Sequence, residues 1–169
     1  MQNINKKEFN HIKIHTQYSI CEGALKIENL KNFCKESKIK FVGLSDTSNL
    51  CGALEFSENI SKVGTQPIIG TQINFKFENT IGLLPLIALN EHGYKRIIEL
   101  SSKSYLDNNI TIEPCVNIDE LYKKNNNGLL VLSGTITGLF GKLFDIGRFS
   151  EVQNIYHKIN CHKTKQPQI

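Results

Sequence analysis

Short apolar runs alternating with amphipathic helical stripes constrain this chain more than any other feature. Phe41 to Leu44 forms one such run, and Ala53, Phe56, Ile60 and Val63 then fall on one helical stripe. Ahead of them, Phe9, His11, Lys13 and His15 alternate with Asn10, Ile12 and Ile14, the period of a strand, which places three basic side chains on one face. A helix over residues 24–37 follows, with Ile27, Leu30 and Cys34 at helical spacing. Residues 67–70 and 73–77 read as strand with a break at Gly70, residues 83–89 as another strand, and the next helix carries Tyr94, Ile97, Ile98 and Ser101 on one side. Leu129 to Leu132 is the last clear strand, before helical segments at 139–144 and 152–157. The alternation predicts an α/β fold with a largely parallel sheet, open or closed into a barrel.

With 169 residues, 40% of them hydrophobic and 21% charged, the chain is long enough to bury a core without covalent staples. Its five cysteines, Cys21, Cys34, Cys51, Cys115 and Cys161, are odd in number and form no C-x-x-C pair. That argues against a disulfide framework or a zinc ribbon and reads as small buried hydrophobes in a reducing, cytoplasmic setting. Residues 1–8 lack the apolar core of a signal peptide, and residues 81–89, broken by Pro85, are too few to cross a bilayer, so no membrane partner is expected. The net charge of +4 is spread along the chain and does not select a partner. With no linker visible, residues 1–8 read as an extension, 9–158 as one domain and 159–169 as a polar tail expected to fray. A closed β/α barrel takes about 250 residues, so a barrel built on this pattern is present only in part.

Three segments could carry chemistry. Imidazoles two apart on a strand can share a metal, because the pleat points both the same way, although half-buried edge histidines explain His11 and His15 equally well. The polar turn Ser45-Asp-Thr-Ser-Asn49 ends the second strand, where parallel α/β folds place functional loops, yet N-cap chemistry for the next helix also accounts for each of its residues. Gln66-Pro-Ile-Ile-Gly-Thr-Gln72 is a strand end with a turn at Gly70, and His92 beside Gly93 reads as a surface residue. Walker A, G-x-G-x-x-G, H-E-x-x-H and G-x-S-x-G patterns are all absent.

Taken in order, Phe9-Asn-His-Ile-Lys-Ile-His-Thr-Gln-Tyr-Ser19, Gly23-Ala-Leu-Lys-Ile27, Leu44-Ser-Asp-Thr-Ser-Asn-Leu-Cys-Gly-Ala-Leu-Glu-Phe56, Gln66-Pro-Ile-Ile-Gly70, Leu86-Ile-Ala-Leu-Asn-Glu-His-Gly-Tyr94 and Gly128-Leu-Leu-Val-Leu-Ser-Gly134 resemble one family. It is the N-terminal polymerase-and-histidinol-phosphatase (PHP) domain of bacterial DNA polymerase III alpha subunits, and the likeness runs from about Phe9 to about Lys158. The resemblance implies a distorted seven-stranded β/α barrel at the start of a long replicative polymerase (a DNA-directed DNA polymerase), whose magnesium-binding carboxylates and DNA contacts lie outside this chain. Metal-holding members bind up to three divalent ions at strand C-termini. Matched by position, the ligands fall on Lys13, His15, Asp46, Thr47, Gln72 and Leu83, only two of which keep a ligand type.

The resemblance therefore implies a degenerate metal site, no catalytic residue and no cofactor in this chain. It implies a structural role in DNA replication, docking a proofreading exonuclease subunit beside other replisome subunits. A metal-dependent phosphoesterase or 3′–5′ exonuclease, and a free-standing interaction protein, are the alternatives. In the degenerate reading the Lys13 ammonium takes over the cation's place and pairs with Asp46.

Overall fold

In the computed structural model, residues 9–106, 113–123 and 126–161 are described. The expected extension 1–8 and residues 162–169 of the expected tail lie outside them. In chain order the elements are α1 (Ile27–Ser37), β1 (Phe41–Gly43), β2 (Asp46–Thr47), α2 (Ala53–Ser61), β3 (Gln66–Ile68), β4 (Gly70–Phe77) and β5 (Thr80–Ala88). Then come α3 (Glu91–Leu106), β6 (Cys115–Asn117), α4 (Glu120–Lys123), β7 (Leu129–Val131), α5 (Leu139–Asp145) and α6 (Phe149–Cys161), so the helix continues to 161 where fraying from 159 was expected.

The frame is a pair of interrupted strands. β1 runs parallel to β3 and β2 parallel to β4, and Leu44 N–H donates to the Ile68 carbonyl at 2.9 Å across the break between them. Gly70 sits at that break because a side chain cannot: a Cβ there would lie 2.5 Å from the Leu86 carbonyl and 2.9 Å from that of Leu44. The expected first strand shrinks to a bridge between Ile14 and Leu44, flanked by hydrogen bonds from Gly43 N–H to His11 O and from Ser45 N–H to Ile14 O. The segment still runs alongside β1 and delivers residues 13–16 to the strand ends.

The sheet is mixed rather than largely parallel. β4 turns straight back into β5 through Glu78 and Asn79, with no helix between, and pairs with it antiparallel from Gly70↔Ile87 to Phe77↔Thr80. Glu78 takes a φ of 51°, a conformation usually given to Gly, Asn or Asp, so Asn79 alone marks the hairpin in the sequence. β7 joins β5 antiparallel and β6 joins β4 parallel. The strands thus form a mixed α/β fold, with a two-stranded and a five-stranded sheet among the described residues.

Helix α3 buries Gly93, Arg96, Ile97, Leu100 and Ser104, while Tyr94 and Ile98 of the expected stripe stay exposed. A Cβ at Gly93 would run into the Gly128 carbonyl, so the glycine brings the helix down onto the turn before β7. Arg96 can face inward because its guanidinium is occupied, by Glu99 at 2.8 Å, the Asn126 side chain at 3.1 Å and the Glu120 carbonyl. These bonds also tie down α4, which the apolar pattern did not reveal.

Two apolar cores result. The larger joins Ile73 and Phe75 of β4 and Leu84 and Leu86 of β5 to α3, α5 and α6; the smaller packs Ile27 and Leu30 of α1 and Phe56 and Ile60 of α2 beneath Val42 and Leu44. Cys34 and Cys115 are buried as expected, and burial pushes the Cys34 thiol above its ordinary value, whereas Cys21 and Cys51 are exposed in loops. Cys161 carries no described side chain. No helix among the described residues is long and apolar enough to cross a membrane.

Arg148 clamps the hairpin tip to α6. It donates to Glu78 at 2.7 Å and Glu151 at 3.1 Å, and its guanidinium lies 5.1 Å from the Phe77 ring centroid. Hydrogen bonds, from Arg148 to Glu78 and foremost from Ser150 to Glu151, hold both carboxyls below the usual carboxylate range. A folded-state value below the unfolded one stabilises above the unfolded value, about 4.3 for Glu, and that share is lost as pH falls through the folded value. Acid titration of stability is expected to show this loss below about pH 4.3, and Arg148→Met is expected to flatten it.

Candidate functional site

Both halves of the polar turn after β1 are structural in a way that its composition did not specify. Asp46 is fully buried, and its carboxylate accepts three hydrogen bonds, from Thr16 N–H at 2.6 Å, the Thr16 hydroxyl at 2.7 Å and the Ser19 hydroxyl at 2.7 Å. The Ser19 oxygen in turn accepts Thr47 N–H at 3.1 Å, and the Thr71 hydroxyl donates to the Asp46 carbonyl at 2.6 Å. Asp46 is therefore a knot joining the loop after the first segment to β2 and β4. The expected ion pair with Lys13 does not form: Lys13 is exposed, and the Asp46 oxygens are taken by uncharged donors closer along the backbone.

The N-cap alternative also fails. Helix α2 starts from Gly52 with no side-chain cap. Asn49 instead braces the turn, donating to the Tyr18 and Thr47 carbonyls at 2.9 Å each and accepting Cys51 N–H at 3.0 Å. Tyr18 reaches past it to Glu55 at 2.6 Å, a bond that raises the phenol above its ordinary value and keeps it a donor.

Four of the six positions matched to the metal-binding pattern do come together. Lys13, His15, Gln72 and Leu83 line one cavity of about 260 Å³, from the first segment, β4 and β5. Thr47 touches its edge through Gln72, whose side-chain amide donates to the Thr47 hydroxyl at 2.7 Å, and Thr47 in turn donates to Glu22. Thr135 and Thr137 also line it, and their hydroxyls lie 2.9 Å apart. Of the two remaining positions, Thr47 stands at the rim and Asp46 is turned into its own hydrogen-bond knot. His11 does not join the cavity; its ring packs edge-on against Phe9 with centroids 4.6 Å apart. His92 is exposed on α3.

Glu22, Thr135 and Thr137 escaped sequence reasoning. Each lies in a loop with no periodic pattern, and only the closing of the strands brings them to the same cavity. The Nδ1 of His15 is buried without a hydrogen-bond partner among the described residues, and no group of three or more His, Cys, Asp or Glu among them is arranged to hold a metal ion.

Residues 11–163 match the PHP domain family. The chain belongs to that family. Its PHP domain is 34% identical over 164 residues to the DNA polymerase III subunit alpha of Caulobacter vibrioides, covering 89% of this chain and 14% of that protein. It is 35% identical over 158 residues to the DNA polymerase III subunit alpha of Buchnera aphidicola subsp. Schizaphis graminum, covering 91% of this chain and again 14% of the relative. The chain thus spans about one seventh of the length of these relatives, and the match covers the PHP region only. Among solved structures, a Bifidobacterium adolescentis protein assigned as a metal-dependent phosphoesterase aligns over 93% of this chain and 56% of its own, with a TM-score of 0.42 and 16% identity. A likeness at that level says nothing of function.

Proposed function

We propose that this chain is the PHP region of a replicative DNA polymerase alpha subunit, in which the domain serves as a structural and partner-docking unit rather than as a metal enzyme. The observation that carries the reading is the make-up of the cavity: Lys13, Gln72 and Leu83 stand in it, with Thr47 at its rim, which leaves the His15 imidazole and the Glu22 carboxylate, with no group of three or more such donors arranged for a metal among the described residues. This set does not fit a divalent ion. A protonated amine offers no lone pair and repels a cation, a carboxamide and a hydroxyl bring no negative charge, and leucine offers nothing. Asp46 cannot compensate, because its oxygens are already spent on Thr16 and Ser19.

The resemblance to DNA polymerase III alpha subunits supports the rest of the proposal. It would place the chain in DNA replication, within a distorted seven-stranded barrel, beside a proofreading exonuclease subunit and with polymerase magnesium and DNA handled elsewhere in the longer protein. Co-expression with the exonuclease subunit of the same genome tests docking: a stable complex is expected, and separate elution of the two proteins would count against it.

Metal loading tests the site. The chain purified without chelator is expected to carry far less than one zinc or manganese per molecule, and EDTA is expected to leave its melting temperature unchanged. Stoichiometric metal, or melting lowered by EDTA, would support a metal-dependent phosphoesterase instead.

A further inference from the structure

We infer that Asn127 is a site of spontaneous covalent modification, where deamidation through a cyclic imide unfastens α3 from the start of β7. The inference is independent of the metal-site reading, because it uses none of the residues that line the cavity.

The sequence supplies the reactive pair and the fold selects within it. Asn125-Asn-Asn-Gly128 contains the chain's one Asn-Gly step. Glycine has no side chain to shield its nitrogen, so an asparagine before it closes to a five-membered ring more readily than before other residues. Asn126 is held at both ends of its carboxamide, which accepts from Arg96 Nε at 3.1 Å and donates to the Leu121 carbonyl. Asn127 is exposed. In the reaction the Gly128 nitrogen attacks Asn127 Cγ, the new N–Cγ bond replaces Cγ–Nδ2, and ammonia leaves with the proton given up by the Gly128 amide. One water then opens the ring at either carbonyl, leaving aspartate, or isoaspartate with an extra methylene in the backbone.

The native turn delays this step. Leu129 N–H donates to the Asn126 carbonyl at 2.9 Å and Gly128 has a φ of 83°, the marks of a type II turn. Such a turn sets ψ of its second residue, Asn127, at about +120°, which points the Gly128 nitrogen away from the Asn127 side chain. Ring closure therefore needs the central peptide rotated out of the turn. Its neighbours resist the rotation. The Gly128 carbonyl accepts Leu89 N–H at 2.7 Å and occupies the space a Gly93 side chain would take, while the Asn90 side chain, which caps α3 by accepting Gly93 N–H at 3.0 Å, fills the space a side chain on Gly128 would take. Opening governs the rate, and the lengthened backbone of isoaspartate cannot restore these contacts.

The test is ageing of the purified chain in mildly alkaline buffer, with conversion followed by mass spectrometry of the tryptic peptide Asn125–Lys142. Conversion is expected at Asn127 before any other asparagine, and to stop there in Asn127→Gln. The urea-unfolded chain is expected to convert about tenfold faster or more than the folded one, and Asn90→Ala, which removes the cap of α3, about threefold to tenfold faster than the original under folding conditions. Faster conversion at another asparagine, or equal rates folded and unfolded, overturns the inference. The isoaspartyl chain, separated by ion exchange and identified by labelling with an isoaspartyl methyltransferase, is expected to unfold at lower urea. Asn127→Asp carries the same charge on an ordinary backbone and is expected to unfold where the original chain does. An isoaspartyl chain as stable as the original, or an Asn127→Asp variant as unstable as the isoaspartyl chain, overturns the link to α3.

Discussion

Asp46→Ala is expected to lower stability by about 3–5 kcal/mol, the range for removing one partner from a fully buried polar cluster. The carboxylate has no exposed surface and satisfies three donors at once, Thr16 N–H, the Thr16 hydroxyl and the Ser19 hydroxyl. Truncation strands all three donors in a buried place. The effect should spread, because the Ser19 oxygen also accepts from Thr47 and the Asp46 carbonyl accepts from Thr71, so the loop after residue 16, β2 and β4 are joined through one residue. Asp46→Asn keeps the shape but faces an amide N–H toward existing donors, and it is expected to recover only part of the loss. Urea unfolding monitored by circular dichroism reads both.

Lys13→Met gives the contrast. With the lysine exposed and unpaired with Asp46, it is expected to change stability by less than about 0.5 kcal/mol, as for an ordinary surface site, and to add to Asp46→Asn without coupling. A coupling well above that figure would revive an ion pair between the two. A loss below about 1 kcal/mol for Asp46→Ala would mean that the three donors find water.

The same residues mark where a sequence stops being informative. Strands β1 and β3 and helices α1, α2, α3, α5 and α6 were legible because each carries a full apolar period, a local property. The antiparallel return of β5 was not, since a non-glycine, Glu78, adopts the left-handed conformation and Asn79 is the one turn residue that marks it. The inward face of α3 was misjudged because Arg96 is buried, and what permits that burial, Glu99, Asn126 and the Glu120 carbonyl, is in part 24 to 30 residues away in sequence.

In the site, Lys13, His15, Gln72 and Leu83 were named together only through the resemblance, and the cavity gathers them. The expected partner of Lys13 was a different matter. A charge placed beside a carboxylate in a strand pattern invites a salt bridge, but hydroxyls at Thr16 and Ser19 win because the backbone already holds them there at low entropic cost. Glu22 left no trace in any pattern, since a loop carboxylate looks the same whether it faces solvent or a cavity.

Phe75→Ala is expected to cost about 3–5 kcal/mol, with the midpoint of urea unfolding lowered and its slope little changed. Phe75 is fully buried at the centre of the larger core, on the strand that also holds Gln72. Its removal leaves a void between the sheet and the packed helices that rigid neighbours such as Leu84, Ile97 and Leu139 cannot fill, so the cavity cost adds to the lost transfer energy. β4 is the strand most exposed to such a change, because β2, β5 and β6 all pair with it and any shift moves both edges. Phe75→Leu keeps most of the volume and is expected to cost less than half as much. Equal losses for the alanine and leucine variants would show that ring shape rather than filled volume governs the site, and a cost below about 1 kcal/mol would place Phe75 outside the cooperative core.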